Sequence, residues 1–239
     1  MSRRADCRVT RRALKAYYPD GSYGRRLQPL PEYGAIYVRN AKAGTGTTML
    51  WLHRMHSGDH RFPPKAGIHA KHGLPRPADV GWDKVVGMLA GEAFRFTFVR
   101  HPIKRLESAY RNKVDGWRRY PGRAGLQRAL GLPEGAEHEL TLDQFVAALE
   151  AQEPLLMDAH WRPQHLNLMH PLVEYDLVGR IETYEADLAR IRQATGMPDA
   201  PVTVQEALTR PTGSLFEGRP DLLRRVQDIY AKDLELYGY

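Results

Sequence analysis

Gly34-Ala35-Ile36-Tyr37-Val38-Arg39-Asn40-Ala41-Lys42-Ala43-Gly44-Thr45-Gly46-Thr47-Thr48 decides how this chain is read. Gly34 to Arg39 is a short apolar run suited to a buried strand. A glycine- and threonine-rich turn occupies residues 43–48, and Met49-Leu50-Trp51-Leu52-His53-Arg54-Met55 continues as a helix with a strongly apolar face. The order is strand, glycine-rich turn, helix. Such a turn collects the first backbone N–H groups of the helix and the positive end of its dipole, so an anion is stabilised there. Glycine lets the backbone approach a phosphate closely, threonine hydroxyls add hydrogen bonds, and Lys42 supplies a point charge. A Walker loop would end in Gly-Lys-[Ser/Thr]. Here the lysine comes first and the final triplet is missing, which disfavours a nucleotide-dependent kinase or triphosphatase without disfavouring phosphate binding.

Further along, Phe94-Arg95-Phe96-Thr97-Phe98-Val99 reads as the strongest strand in the chain, alternating and aromatic. Pro102 stands where a helix would begin, and that helix is expected to run through Leu106 and Tyr110 to about Val114. Arg100 falls at the C-terminal end of the strand, where open α/β sheets bind ligands, and Ser108 lies in the helix. An Arg and a Ser so placed suit a second, separate phosphate. Other expected elements are a strand over 66–72, a helix over 81–90 and a long loop or lid over 116–138. A helix starting at Thr141-Leu142-Asp143-Gln144, a strand over 176–181, a helix over 183–195 and a terminal helix over 220–236 complete the pattern. Strands alternating with helices predict one α/β domain with a mainly parallel sheet, spanning 35–239 behind a basic lead-in over 1–34.

The composition fits that reading. The chain has 239 residues, 42% of them hydrophobic, enough for a sizeable core and too many for a disordered or fibrous chain. Lys and Arg number 35 against 28 Asp and Glu, a formal charge of +7 that suggests an anionic partner. No apolar run approaches the ~20 residues of a membrane span, and no apolar region follows the basic Met1-Ser2-Arg3-Arg4 start as a secretory signal would require. The single cysteine, Cys7, excludes an internal disulfide and a thiolate zinc cluster. A soluble protein of the cytoplasm is the expectation. Arg3, Arg4, Arg8, Arg11 and Arg12, with the Arg-rich 116–128 stretch, are the features a nucleic-acid-binding module would use. A solvated basic face is the preferred reading of them, so no nucleic-acid partner is expected.

Taken together, these motifs resemble the sulfotransferases that use 3′-phosphoadenosine-5′-phosphosulfate (PAPS). Lys42 to Thr48 resembles their 5′-phosphosulfate loop, and Arg100 with Ser108 resembles their 3′-phosphate motif. Asp158-Ala159-His160-Trp161-Arg162-Pro163-Gln164 is similar to the His-Trp-x-Pro-Gln segment of the carbohydrate branch, as are Tyr175-Asp176-Leu177-Val178-Gly179-Arg180-Ile181-Glu182-Thr183 and the ending Tyr230 to Tyr239. The matches run in family order from about residue 36 to the C-terminus. The first loop carries one residue more than the common Lys-x-Gly-Thr-Thr form, leaving Thr45, Thr47 and Thr48 as alternative contacts. Golgi relatives tend to carry cysteines after the His-Trp segment; Leu166-Asn167-Leu168-Met169-His170 has none, as suits a cytoplasmic, bacterial version.

The resemblance implies sulfuryl transfer from PAPS to an acceptor hydroxyl or amine, on a carbohydrate or glycoconjugate, with adenosine 3′,5′-bisphosphate as product and no metal. Residues Lys42, Ala43, Gly44, Thr45, Gly46, Thr47, Thr48, Arg100 and Ser108 would hold the donor, with Arg210 and Ser214 in a late polar turn as secondary contacts. Lys42 would stabilise the leaving phosphate. For the base the sequence offers His69 and His72; an odd separation puts them on opposite faces of a strand, and His72 is better placed to enter the cleft. Lys71 and Arg76 are candidates for an acidic acceptor, and His160 and Trp161 for contact with acceptor or donor.

Overall fold

The computed structural model describes residues 9–59, 73–117, 119–135, 138–202 and 213–239. In chain order the first elements are α1 (Arg11–Tyr17), β1 (Leu27–Leu30), β2 (Ala35–Val38), α2 (Thr45–Ser57), α3 (Pro77–Val80), α4 (Trp82–Gly87) and β3 (Phe94–Val99). Then come α5 (Pro102–Ala109), α6 (Arg123–Ala129), α7 (Leu142–Ala151), α8 (Gln164–Asn167), β4 (Leu177–Arg180), α9 (Tyr184–Thr195), α10 (Pro220–Ile229) and α11 (Ala231–Tyr237). By packing these form two compact units, residues 1–99 with 168–210, and residues 100–167 with 211–239.

The first unit holds a four-stranded sheet in the order β1-β2-β3-β4. β2, β3 and β4 are parallel, with Tyr37 opposite Phe96 and Phe98 opposite Gly179, while β1 is antiparallel to β2. The α/β class and mainly parallel sheet are those expected. Helices cover the sheet, so β2 is buried along its whole length and reads as a continuous apolar run. Thr97 is fully buried and donates its hydroxyl to Val38 O at 2.8 Å, which satisfies the polar atom inside the sheet. At the start of β4, Asp176 receives Arg95 Nε at 2.9 Å, Arg95 Nη2 at 3.0 Å and the Arg95 backbone N at 2.8 Å. These bonds hold the Asp176 carboxyl below the usual carboxylate range. Gly179 is required by packing: a Cβ there would sit 2.6 Å from the Phe98 ring and 3.2 Å from Asp187 Cβ. Leu52, Phe96, Phe98, Leu188 and Ile191 form the centre of this unit's core.

Regular structure begins earlier than expected. The segment expected as a lead-in contains α1, capped by Thr10, and the edge strand β1. Pro29 is tolerated in β1 because an edge strand needs no ladder donor on its outer side.

The second unit is helical, packed around Leu106, Leu126, Phe145, Leu149, Trp161 and Val226. Two corrections fall here. The expected 116–138 loop contains α6, whose buried Arg123 donates to the carbonyls of Val114 and His138. The single terminal helix is two helices, α10 and α11, which meet at Tyr230, where the backbone leaves helical geometry (φ −108°, ψ 17°). α7 starts as expected: Thr141 Oγ1 accepts from Gln144 N at 3.2 Å and Gln144 Oε1 from Thr141 N at 3.0 Å, a reciprocal cap.

Candidate functional site

In the first unit, the chain leaves β2 at Val38 and turns through Asn40–Gly44 into α2. Asn40 is fully buried and its amide donates to Phe98 O at 3.1 Å, tying the turn to the end of β3. Lys42 (φ 66°) and Gly44 (φ 71°) both take left-handed backbone conformations. Two such residues around Ala43 fold the turn tightly at the helix end. Gly44 has a second reason to lack a side chain, since a Cβ there would overlap Ile181 Cδ1. α2 has no side-chain cap at its N-terminus, and its hydrogen-bond ladder starts with Thr48 N to Gly44 O at 2.9 Å. The N–H groups of Thr45, Gly46 and Thr47 are therefore the orphan donors of a helix start, with the dipole behind them.

The three threonines differ. Thr45 Oγ1 donates to Asn40 O at 2.6 Å, closing the turn. Thr48 Oγ1 donates to Gly44 O at 3.2 Å and accepts from Tyr184 OH at 3.1 Å, which fixes the helix against α9. Thr47 is 1% exposed, and its hydroxyl has no partner among the described residues. Lys42 is half-buried at the turn. His69, Lys71 and His72 lie outside the described residues, as does Arg210. Arg76 is exposed, just ahead of α3, and its backbone N donates to Asp79 Oδ2 at 2.8 Å.

In the second unit, Arg100 is held by its backbone. Gln164 Nε2 donates to Arg100 O at 2.9 Å, and Gln164 Oε1 accepts from Arg100 N at 3.1 Å. Gln164 is itself fully buried, and its backbone N, with that of His165, donates to the Asp233 carboxylate on α11. His165 Nδ1 meets the same carboxylate at 2.7 Å. Arg100 is thus positioned by the last residue of the His-Trp-x-Pro-Gln segment, which in turn hangs on the C-terminal helix. α5 then starts with Pro102, and the His101 side chain accepts from Ile103 N at 3.2 Å to cap it. Ser108 is half-buried on this helix.

The turn carrying Ser214 is fastened to α5. Ser214 Oγ donates to Glu107 Oε1 at 2.9 Å, Leu215 N donates to the same oxygen at 2.9 Å, and Arg111 Nη2 donates to Gly213 O at 2.6 Å. Glu107 is 1% exposed and its other oxygen meets Lys104 Nζ at 3.1 Å. Sequence reasoning missed Glu107. The signal was a carboxylate beside the buried Leu106 on the apolar side of a helix, a position that requires a partner.

His160 sits in a small polar cluster. Asp158 Oδ1 meets His160 Nδ1 at 2.7 Å, and Tyr120 OH lies 2.7 Å from Asp158 Oδ2 and 2.8 Å from His160 Nδ1. Burial pushes the Asp158 carboxyl up, but the His160 and Tyr120 hydrogen bonds outweigh it and hold the pKa at about 2. Trp161 is 1% exposed, with its ring edge-on to Phe145 at 5.7 Å and Tyr120 at 6.1 Å, so its side chain serves the core. The fully buried Arg105 donates to the carbonyls of Ala159 at 2.7 Å and Arg162 at 2.9 Å, fixing the backbone of the same segment. Among the described residues, no group of three or more His, Cys, Asp or Glu is arranged to hold a metal. No helix among them is long and apolar enough to cross a membrane.

The model of the sulfotransferase family matches residues 31–239, so the chain belongs to that family. It is similar to carbohydrate sulfotransferase 14 of Homo sapiens, 32% identical over 158 residues that cover 61% of this chain and 42% of the relative. The same protein of Danio rerio is 34% identical over 161 residues, 61% of this chain and 44% of the relative. Carbohydrate sulfotransferase 11 of Rattus norvegicus is 33% identical over 166 residues, 61% and 46% of the two chains. The matched region is thus less than half the length of these relatives. No solved structure matches the chain significantly.

Proposed function

We propose that the protein is a PAPS-dependent sulfotransferase acting on a carbohydrate hydroxyl. The observation that carries this is the turn at the start of α2, where Lys42 and Gly44 in left-handed conformations lead into an uncapped helix N-terminus. Family membership and similarity to carbohydrate sulfotransferases support it. The turn fits a phosphosulfate group: it offers orphan N–H donors, a helix dipole and a lysine.

PAPS supplies an activated sulfuryl group when bound. Lys42 would offset charge growing on the leaving phosphate oxygen, an interaction stronger in the transition state than in the ground state. The backbone of the turn would orient that phosphate. Arg100, braced by Gln164, and Ser108 would hold the 3′-phosphate, with Ser214, whose turn Glu107 fastens to α5, as a secondary contact. His72 is the proposed base for the acceptor proton, with His69 as the alternative.

Thermal shift tests this reading. Adenosine 3′,5′-bisphosphate at about 100 times its Kd should stabilise the fold by about 2.7 kcal/mol, or a Tm rise of about 5–10 °C for a chain of this size. ATP and duplex DNA should give smaller shifts. A larger shift with ATP would favour the kinase alternative, and a salt-sensitive response to DNA alone would favour a nucleic-acid module.

A further inference from the structure

Asp233 is fully buried in the first turn of α11, and two consecutive residues meet its carboxylate. Gln164 N donates to Oδ2 at 2.5 Å and His165 N to Oδ1 at 2.9 Å, while His165 Nδ1 lies 2.7 Å from Oδ1. A buried carboxylate held in this way is costly to disturb, because each lost bond leaves a donor or a charge without compensation. Gln164 and His165 open α8, and the Gln164 side chain closes on both backbone groups of Arg100. Asp233 therefore reaches Arg100 through one intervening residue.

The same helix reaches Arg100 from its other neighbour. α11 stops at Gly238 (φ 64°), where Gly238 N donates to Glu235 O at 3.3 Å and Tyr239 N to Leu234 O at 3.0 Å. This pair of bonds across a left-handed residue turns the chain back at a helix end. The Tyr239 ring then lies 5.1 Å from the His101 ring, tilted by 55°. His101 follows Arg100 directly, and its side chain accepts from Ile103 N to cap α5. At the head of α11, Tyr230 OH donates to Trp161 O, so the segment leading to Gln164 is tied to the same stretch. Residues 230–239 thus hold both Gln164 and His101, the two residues that fix the chain at Arg100. A long guanidinium side chain on a backbone ordered in advance loses less freedom when it takes up an anion.

We propose that α11 is the specificity-determining brace of the Arg100 site, with Asp233 and Tyr239 as positioning residues that set the preference for nucleotides bearing a 3′-phosphate. The link to the 3′-phosphate rests on the sulfotransferase reading; the bracing of Arg100 does not. Two readouts on the whole chain separate them: amide hydrogen exchange at Arg100, and isothermal titration with adenosine 3′,5′-bisphosphate and adenosine 5′-monophosphate. Tyr239→Ala and Asp233→Asn should speed exchange at Arg100 N relative to the amides of α7, and should weaken the bisphosphate about tenfold and the monophosphate much less. Tyr239→Phe, which keeps the ring, should stay within about twofold of wild type. Val226→Ala, a cavity in the core of the same unit, should lower Tm without changing the nucleotide preference. Unchanged exchange at Arg100 in both variants overturns the inference. So do equal losses for the two nucleotides when the wild type prefers the bisphosphate, or a loss of preference in Val226→Ala matching that in Tyr239→Ala. Faster exchange at Arg100 in a protein that does not prefer the bisphosphate would uphold the brace and overturn the assignment of Arg100 to the 3′-phosphate.

Discussion

Gln164→Leu removes both hydrogen bonds that hold the Arg100 backbone while keeping a side chain of similar volume in a fully buried position. Two hydrogen bonds contribute about 2 kcal/mol net, and leaving the Arg100 N–H and C=O without partners adds to the loss, for about 3 kcal/mol in all. In a chain of this length that is a Tm fall of about 6–12 °C. Gln164→Glu keeps the acceptor for Arg100 N but sets a carboxylate oxygen against Arg100 O, and should also destabilise. The functional consequence should be selective, because Gln164 positions the residue assigned to the 3′-phosphate. Urea titration gives the stability change, and isothermal titration compares adenosine 3′,5′-bisphosphate with adenosine 5′-monophosphate, which lacks the 3′ group. Affinity for the bisphosphate should fall about tenfold and that for the monophosphate much less. A stability loss below about 1 kcal/mol, or equal losses for the two nucleotides, would refute the bracing role.

Gly179→Ala drives a methyl group into the Phe98 ring at the β3–β4 pair and should cost about 1–3 kcal/mol, read as a lower urea midpoint with unchanged slope. An unchanged midpoint would mean that the sheet yields there. Asp158 has a folded pKa of about 2 against an ordinary 3.8, so its stabilising effect is full above about pH 4 and is lost as pH falls toward 2. Asp158→Asn should therefore cost on the order of 2 kcal/mol at pH 7, with the gap from wild type narrowing below pH 4; a gap that does not vary with pH would contradict the assignment. Lys42→Ala should lower the transfer rate far more than it weakens adenosine 3′,5′-bisphosphate binding, whereas equal losses would reduce Lys42 to a binding residue.

The parts of the fold legible in sequence are those fixed by local pattern. Phe94–Val99 is observed with the bounds its aromatic alternation predicts, and the α7 start follows from Thr141 and Gln144 alone. β1 was hidden because its four residues are all buried, giving no alternation, and Pro29 argues against a strand. α6 was hidden because its buried faces include Arg123 and Gln127, whose partners are carbonyls at Val114, Gly135 and His138 that no short window contains. The same division holds at the site. The strand–turn–helix around Lys42 and the placement of Arg100 after β3 are written in short stretches. The Gln164 brace spans 64 residues and the Glu107–Ser214 bond spans 107, so neither has a local signature. A cavity of the first unit likewise draws on Arg25, Arg39 and Arg76, from three separate segments.

The central claim is sulfuryl transfer, and one measurement meets it directly: passage of radiolabelled sulfate from PAPS to a panel of acidic and neutral oligosaccharides, followed by separation of the sugar products. The account predicts label in a carbohydrate product, with adenosine 3′,5′-bisphosphate released in equal amount and the signal abolished or nearly so in Lys42→Ala. No labelled sugar across the panel, from folded protein that the bisphosphate fails to stabilise, would contradict it.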